Sequence, residues 1–311
     1  MPNGQAGTLL RMGVLALLWG SGFLWIKIAL SGGLSPLHIT VIRCALGAAV
    51  LLALARLGRQ RLPLDRRTWG HLAVAALFCN VLPFLLAGIG EQSVDSGVAG
   101  VLNATTPLWS LAIGLALRTE RGLRPRRLAG LLLGFAGTLL IFAPWQHSGL
   151  TGWGALALLG ASLSYAVAFA YMARHLIGRG TAPLALSAAQ LLAATGLTTA
   201  ALPVGHASSA GPSGTALIAV VVLGVFCTGI TFHLNSRLIA DEGPTAAATV
   251  GYLLPVVSVT LGAVVLDERI GLRVIAGMAV VLVGVGLTRP RSAAATAGPA
   301  REAARAEGVR S

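Results

Sequence analysis

The sequence predicts an all-α polytopic membrane protein with ten transmembrane helices, arranged as two inverted five-helix repeats. The chain of 311 residues is 55% hydrophobic and only 11% charged, which leaves too few charges to cover the surface of a soluble domain. Apolar runs of about 20 residues recur from end to end, and each suits a hydrocarbon core about 30 Å thick. The chain also repeats itself at an offset of 148 residues.

Each apolar run is long enough for one helical crossing, whereas strands of a membrane barrel are about ten residues long with alternating polarity. The mean hydropathy of +0.80 agrees with a chain that lies mostly within the bilayer. The seventh run is rich in Gly and Ala and is the least distinct. The predicted spans are residues 8–31, 36–56, 69–90, 94–117, 126–145, 151–174, 183–203, 215–238, 244–266 and 271–289.

The internal duplication predicts the domain organisation. Residues 1–145 form the first five-helix repeat, residues 150–289 form the second, and residues 290–311 form a disordered tail with almost nothing to bury. Five spans per copy is an odd number, so the second copy enters the bilayer from the opposite side. The matched pairs include Phe78 and Phe226, Cys79 and Cys227, Pro107 and Pro255, Gly114 and Gly262, Glu120 and Glu268, and, at an offset of 147, Gly130 and Gly277, and Gly137 and Gly284.

The cationic residues predict the orientation. With the amino terminus inside, 19 of the 23 Lys and Arg residues lie in cytoplasmic segments, and two, Arg269 and Arg273, lie outside. This asymmetry follows the positive-inside rule and places both termini in the cytoplasm of a cell-membrane protein. It also explains the net charge of +13 without a nucleic-acid partner.

Inverted repeats are typical of secondary transporters, whose binding site lies near the midplane between the copies. The segment Leu18-Trp19-Gly20-Ser21-Gly22-Phe23, with Lys27, Pro36 and Arg43, resembles the amino-terminal signature of EamA-type proteins in the drug/metabolite transporter superfamily. Residues Pro107 to Glu120, continuing to Gly130 and Gly137, resemble the fourth and fifth helices of that family. The resemblance implies export or exchange of amino acids, related metabolites or small drugs through a central cavity. It leaves the substrate and the direction of transport open.

Polar and aromatic side chains at depth predict the substrate cavity. An amide within the hydrocarbon needs a partner, and aromatic rings with polar tips suit an amphipathic small molecule. Any one of these residues also fits ordinary packing between helices. The predicted substrate-binding residues are Trp19, Trp25, Asn80, Asn103, Thr106, Trp109, Tyr165, Phe226, His233 and Tyr252.

Two prolines and two cations within the spans carry further predictions. Pro107 and Pro255 lie at equivalent mid-helix positions, and each frees a carbonyl group four residues earlier. They are predicted hinges, with ordinary packing kinks as the alternative. Lys27 is expected to reach the outer interface. Arg43 is expected to tether two helices rather than to contact substrate.

The positions of the acidic residues predict the driving force. All ten Asp and Glu residues fall in loops, at helix ends or in the tail, and none lies at a midplane, where proton relays place a carboxylate. The sequence therefore favours facilitated diffusion or exchange down the gradient of the substrate. The alternative is proton coupling through His233 or an acidic residue at a helix end.

The chain carries no motif of a hydrolase, a metalloenzyme or an ATP-driven pump. We therefore predict no enzymatic activity, no cofactor and no metal site. A membrane sensor or scaffold without flux stays open as an alternative, and a membrane-embedded enzyme is a more distant one. Gly130 and Gly134 fit either a homodimer contact or packing within the chain, and the latter is the default expectation.

Overall fold

The computed structural model describes residues 3–94, 96–118, 125–143, 152–204, 211–257, 260 and 271–288. Helices make up most of these residues, and no strand occurs among them. The predicted tail lies outside the described ranges. The α-helices are α1 (Asn3–Gly20), α2 (Gly22–Ser31), α3 (Pro36–Leu57), α4 (Arg66–Ala76), α5 (Leu82–Gly90), α6 (Ser96–Asn103), α7 (Thr106–Ala116), α8 (Pro125–Phe142), α9 (Trp153–His175), α10 (Pro183–Ala200), α11 (Gly214–Gly224), α12 (Thr231–Glu242), α13 (Pro244–Ala248) and α14 (Leu272–Thr288).

Among the described residues, six helical stretches are long and apolar enough to cross a membrane. The helix Leu272–Thr288 is apolar but shorter, and α8 and α10 have 18 residues each. The chain is thus an all-helical, multi-pass membrane protein. The six stretches are Gly7–Ser31, Pro36–Leu57, Arg66–Gly90, Ala99–Ala116, Trp153–His175 and Gly214–Glu242.

Several predicted spans are less regular than the sequence indicates. The first is interrupted at Ser21, between α1 and α2, and the fourth at residues 104–105, between α6 and α7. The seventh, the least distinct in sequence, forms the helix α10. In the ninth, a 3-10 turn at Thr249–Tyr252 follows α13 and leads into helical residues 253–257. The rest of that span, apart from residue 260, lies outside the described residues.

Two π-helical segments widen the long helices at equivalent places. Leu77–Val81 joins α4 to α5, and Val225–Ile230 joins α11 to α12. Their first residues are separated by 148 positions, the offset of the duplication. Single π-turns inside α-helices occur often at functional sites.

Helix starts follow local signals that also recur at the repeat offset. Pro36 and Pro183 occupy the first turn of α3 and of α10, where a missing backbone N–H costs nothing. Asp65 accepts a hydrogen bond from the backbone N–H of Thr68, and its counterpart Ser213 accepts one from that of Ala216. Each cap satisfies one of the free donors at a helix start.

A seam of glycines joins α8 to α14. A Cβ atom added at Gly130 would lie 2.7 Å from the carbonyl oxygen of Gly284, and one added at Gly137 would lie 2.8 Å from that of Gly277. One added at Gly134 would lie 2.6 Å from the ring of Tyr252. Only glycine permits such close approach of two helices. The expectation that Gly130 and Gly134 pack within the chain is therefore confirmed.

Candidate binding cavity

A cavity lies between the two halves of the chain, with a volume of about 80 Å³. Its wall combines aromatic and aliphatic side chains with a few polar groups, as in small-molecule sites. Both halves contribute residues. The lining consists of Trp19, Gly22, Phe23, Ile26, Arg43, Phe84, Ala87, Asn103, Thr106, Leu158, Ala161, Tyr165, Phe169, Cys227, Ala248, Gly251 and Leu254.

The break between α6 and α7 positions Asn103 and Thr106 at this cavity. Pro107 cannot donate to the carbonyl of Asn103, and the Thr106 hydroxyl donates to that carbonyl instead, at 2.7 Å. The freed carbonyl is therefore satisfied within the chain. The side-chain amide of Asn103 has no hydrogen-bond partner among the described residues, so it is available to a ligand in the cavity.

Arg43 on α3 is buried, with 6% of its surface exposed. Its Nε–H donates to the Thr228 hydroxyl in the second π-helical segment, at 3.0 Å. Its Cζ lies 3.6 Å from the ring centroid of Phe84, a cation–π distance. The predicted tether between helices is thus present. Arg43 also lines the cavity, although the sequence favoured a tether over contact with substrate.

Several aromatic rings line the same cavity as Arg43. Tyr165 and Phe169 are one turn apart on α9, with ring centroids 6.1 Å apart. Phe84 and Phe232, which are repeat counterparts, meet edge to face at 6.0 Å. Two lining rings, Phe23 and Phe169, were missed by sequence reasoning. No polar tip or repeat mismatch separates them from other core phenylalanines.

Four of the predicted substrate-binding residues line the cavity: Trp19, Asn103, Thr106 and Tyr165. Two others lie on the outer surface, where Trp109 is 38% and Phe226 is 45% exposed. In a membrane protein, such positions face lipid. Trp25 packs in a separate apolar cluster formed by α2, α3 and α11.

The remaining three predicted residues lie elsewhere in the interior, outside the described lining. Asn80 is fully buried and accepts a hydrogen bond from Gln190 Nε2 at 2.9 Å. Tyr252 is fully buried against Gly134. His233 is partly buried on α12. Substrate binding by these three residues stays a prediction.

The two predicted hinges differ in local structure. Pro107 is in the first turn of α7, directly after a helix break. Pro255 follows the 3-10 turn Thr249–Tyr252, within helical residues 253–257. Both prolines thus accompany irregular backbone, and movement at either one stays a prediction.

Glu91 lies at a helix end, as the sequence indicates, but its burial was not predicted. It directly follows α5, and only 1% of its surface is exposed. Neither carboxyl oxygen has a hydrogen-bond partner in the part of the chain that the structure describes. Lys27 Nζ donates to the backbone carbonyl of Glu91 at 3.2 Å. Burial raises the pKa of the Glu91 carboxyl to about 8, while Lys27 and Arg43 act to lower it.

Among the described residues, no group of three or more His, Cys, Asp or Glu side chains could hold a metal ion. The three cysteines are free and buried. The described lining of the cavity offers aromatic contact, hydrogen-bonding groups and one guanidinium.

Comparison with known proteins finds relatives that are named as transporters. The uncharacterized inner membrane transporter YedA of Escherichia coli (strain K12) is 30% identical over 250 residues, 80% of this chain and 79% of that protein. The uncharacterized transporter YvbV of Bacillus subtilis (strain 168) is 24% identical over 290 residues, 92% of this chain and 93% of that protein.

A crystal structure of another protein superposes with a TM-score of 0.75 over 91% of this chain and 98% of that chain. At 22% identity, this likeness shows the fold alone. The model of the EamA-like transporter family matches the chain twice, over residues 8–143 and over residues 152–289. The chain therefore belongs to the EamA-like transporter family.

Proposed function

We propose that this membrane transporter is a secondary transporter that carries small metabolites, such as amino acids or small drugs, by alternating access. The observation that carries the proposal is the cavity, whose polar and aromatic lining comes from both matched halves of the chain. Membership of a transporter family favours this function over that of an enzyme.

Contacts between the halves support an inverted, two-fold arrangement of two five-helix repeats. In an interface with two-fold symmetry, a contact from i to j is accompanied by one from the counterpart of i to that of j. Arg43 bonds Thr228, and the counterpart pair, Gln190 and Asn80, is also bonded. The glycine seam follows the same pattern. Phe84 contacts its own repeat counterpart Phe232, as residues next to a two-fold axis between the repeats would.

Links near the two ends of the cavity suit a transporter that opens to one side at a time. Arg11 pairs with Asp241, and Thr8 donates to Glu242 at 3.3 Å, so α1 is tied to α12. We place this end in the cytoplasm, together with both termini. Lys27 ties α2 to the end of α5 at the opposite end.

The size of the cavity requires movement. A buried water needs roughly 10–15 Å³ of such volume, so about 80 Å³ holds only a few waters. A metabolite would enter only after the surrounding helices separate. We propose that Pro107 and Pro255 are the hinges. We also propose that the direction of transport is export or exchange.

Counterflow in proteoliposomes tests the function. Vesicles containing the purified protein are loaded with unlabelled amino acids, nucleosides or cationic drugs, and uptake of the labelled compound is followed. We expect uptake above that of protein-free vesicles for at least one compound. Asn103→Ala should reduce it, while Trp109→Ala, at a lipid-facing position, should not. Absence of counterflow across the panel would favour a sensor or scaffold instead.

A second measurement addresses the driving force. We propose facilitated diffusion or exchange, with no proton taken up in the cycle. An imposed pH gradient should then leave the final accumulation of substrate unchanged. Accumulation above equilibrium would instead indicate proton coupling, and Glu91 and His233 are the groups to replace first.

A further inference from the structure

We infer that the cavity binds organic monocarboxylates with an apolar body, and that Arg43 is the residue that recognises the carboxylate. The inference rests on the proposed function and names the substrate class of that same cavity. It is carried by the unpaired edge of a buried guanidinium that faces a largely apolar space.

Among the described residues, the Arg43 side chain uses only one of its hydrogen-bond donors. A guanidinium has five N–H donors in a planar fork. The Nε–H of Arg43 is bonded to Thr228. Among the described residues, the two terminal nitrogens have no acceptor, although 94% of the residue's surface is buried. The edge formed by these nitrogens matches the two oxygens of a carboxylate.

Two neighbours hold the guanidinium of Arg43 in a fixed orientation. One face of the fork is stacked on Phe84, with Cζ 3.6 Å from the ring centroid. The bond to Thr228 fixes rotation about the long axis of the side chain. Phe84 and Thr228 therefore hold the fork in place, so little entropy is lost when an anion binds its free edge.

The region around Arg43 contains more cationic than acidic side chains. Two cations, Arg43 and Lys27, and one acid, Glu91, interact across this region. The Glu91 carboxyl oxygens are buried without partners, and its raised pKa of about 8 keeps much of this group neutral at pH 7. No ion pair of Arg43 occurs within the described ranges. A buried cation without a counter-ion is costly, and a bound carboxylate would offset that cost.

The rest of the cavity lining suits the apolar body of such a ligand. Apart from Arg43, the lining is aromatic or aliphatic, with Asn103, Thr106 and Tyr165 as its main polar side chains. None of the described lining residues is acidic. A ligand with one anionic end and an apolar remainder fits this distribution. A ligand with an additional ammonium group would find only neutral acceptors.

Binding of matched acid and amide pairs tests the inference. The probes are 3-phenylpropanoate and 3-phenylpropanamide, hexanoate and hexanamide, and phenylalanine as the ammonium-bearing analogue of the first acid. Affinity is measured at pH 7 on the purified full chain in detergent, by isothermal calorimetry and thermal stabilisation. We expect at least one acid to bind roughly tenfold or more tightly than its amide, the gain of one charge-assisted contact. We also expect phenylalanine to bind more weakly than 3-phenylpropanoate.

Variants assign the preference to Arg43. Arg43→Gln should remove the preference of acid over amide, and Arg43→Lys should reduce it several-fold, since the charge stays but the fork is lost. Gln190→Ala, at the counterpart position, and Lys27→Gln, at the rim, should retain it. If Arg43→Gln does not give a monodisperse protein, Arg43→Lys and the wild-type acid and amide affinities decide the outcome.

Three results would overturn the inference: equal affinity for acid and amide on the wild type, no binding of any acid, or an undiminished preference in Arg43→Lys and Arg43→Gln. Counterflow separates this failure from failure of the proposed function. Flux without acid preference keeps the transporter and rejects the role of Arg43. Acid binding that depends on Arg43, but without flux, rejects transport and keeps the site.

Discussion

The two halves of the chain share their scaffold and differ at the cavity. Both have a π-helical segment, a buried polar link between helices and half of the glycine seam. In the first half the link uses Arg43, which lines the cavity, and in the second it uses the neutral Gln190, which is fully buried elsewhere. Asn103 likewise faces the cavity where the second half has Gly251.

The difference separates two kinds of residue. Positions where the halves agree maintain packing, since both copies need the same helix contacts. Positions where they differ give a nearly symmetric cavity an uneven distribution of charge and hydrogen-bonding groups. Replacing residues of each kind therefore tests the comparison, because stability and ligand selectivity should respond separately.

The largest effect is expected at the shared seam. In Gly284→Ala the new Cβ would lie 2.5 Å from the backbone nitrogen of Gly134, so α8 and α14 must separate. We expect a loss of about 3 kcal/mol, the upper range for overpacking, seen as a lower melting temperature and poor recovery in size-exclusion chromatography. Gly286→Ala on the same helix meets nothing within 4 Å and should be neutral. Equal stability of the two variants would contradict the seam.

The second effect concerns Glu91, whose counterpart is the buried Ile239. Its pKa is raised from 4.5 to about 8, so the folded state binds the proton more tightly than the unfolded state. Its stabilising contribution is complete below about pH 4.5 and is lost as the pH rises through about 8.

Melting temperatures of the wild type between about pH 5 and pH 9 should therefore fall as the pH rises. Glu91→Gln keeps the shape of the side chain and removes its titration, so its melting temperature should change little over that range. A variant that retains the slope of the wild type would show that another group titrates there.

The third effect concerns the neutral polar link. Gln190→Ala leaves the Asn80 carbonyl oxygen without its donor in a fully buried place, which costs about 1–2 kcal/mol. The double variant Asn80→Leu with Gln190→Leu should recover part of this loss, because no polar atom is then left unpaired. Ligand selectivity should stay unchanged in both variants. Altered preference between acid and amide would place this link at the cavity after all.

The smallest effect is expected at the helix caps, where Asp65 is charged and its counterpart Ser213 is neutral. The hydroxyl and the backbone N–H of Thr68 lower the pKa of Asp65, so the stability it contributes is present above its usual pKa of 3.8 and is lost as the pH falls through the lower folded value. Thermal denaturation at acid pH should show this loss in the wild type and not in Asp65→Ser. The same acid loss in both proteins would contradict it.

Helix positions could be predicted from the sequence because their signals are local. Apolar runs indicate the spans, and Pro36 and Asp65 indicate where α3 and α4 begin. The break at Ser21 falls in the run Gly20-Ser21-Gly22, a composition that permits a kink. The π-helical segments left no such mark, since an extra residue in one turn alters neither composition nor hydropathy. Their positions depend on the packing of neighbouring helices.

The candidate cavity was only partly predictable for a related reason. Depth in the membrane follows from position in a span, but the side facing inward does not, because lipid is as apolar as the interior. Trp109 and Asn103 thus looked alike, although Trp109 is 38% exposed. Glu91 ends a helix, as the sequence indicates, but its burial could not be predicted from that position. The residue before it, Gly90, packs closely against Gly154 and Leu158 of α9.

The reciprocal glycine contacts also carry a consequence for evolutionary history. Gly130 meets the counterpart of Gly137, and Gly137 meets the counterpart of Gly130, the pattern by which two identical subunits associate. We infer that a single-copy ancestor made this contact between two separate polypeptides. Gene duplication then let each copy mutate alone, so that an arginine in one half and a glutamine in the other became attainable.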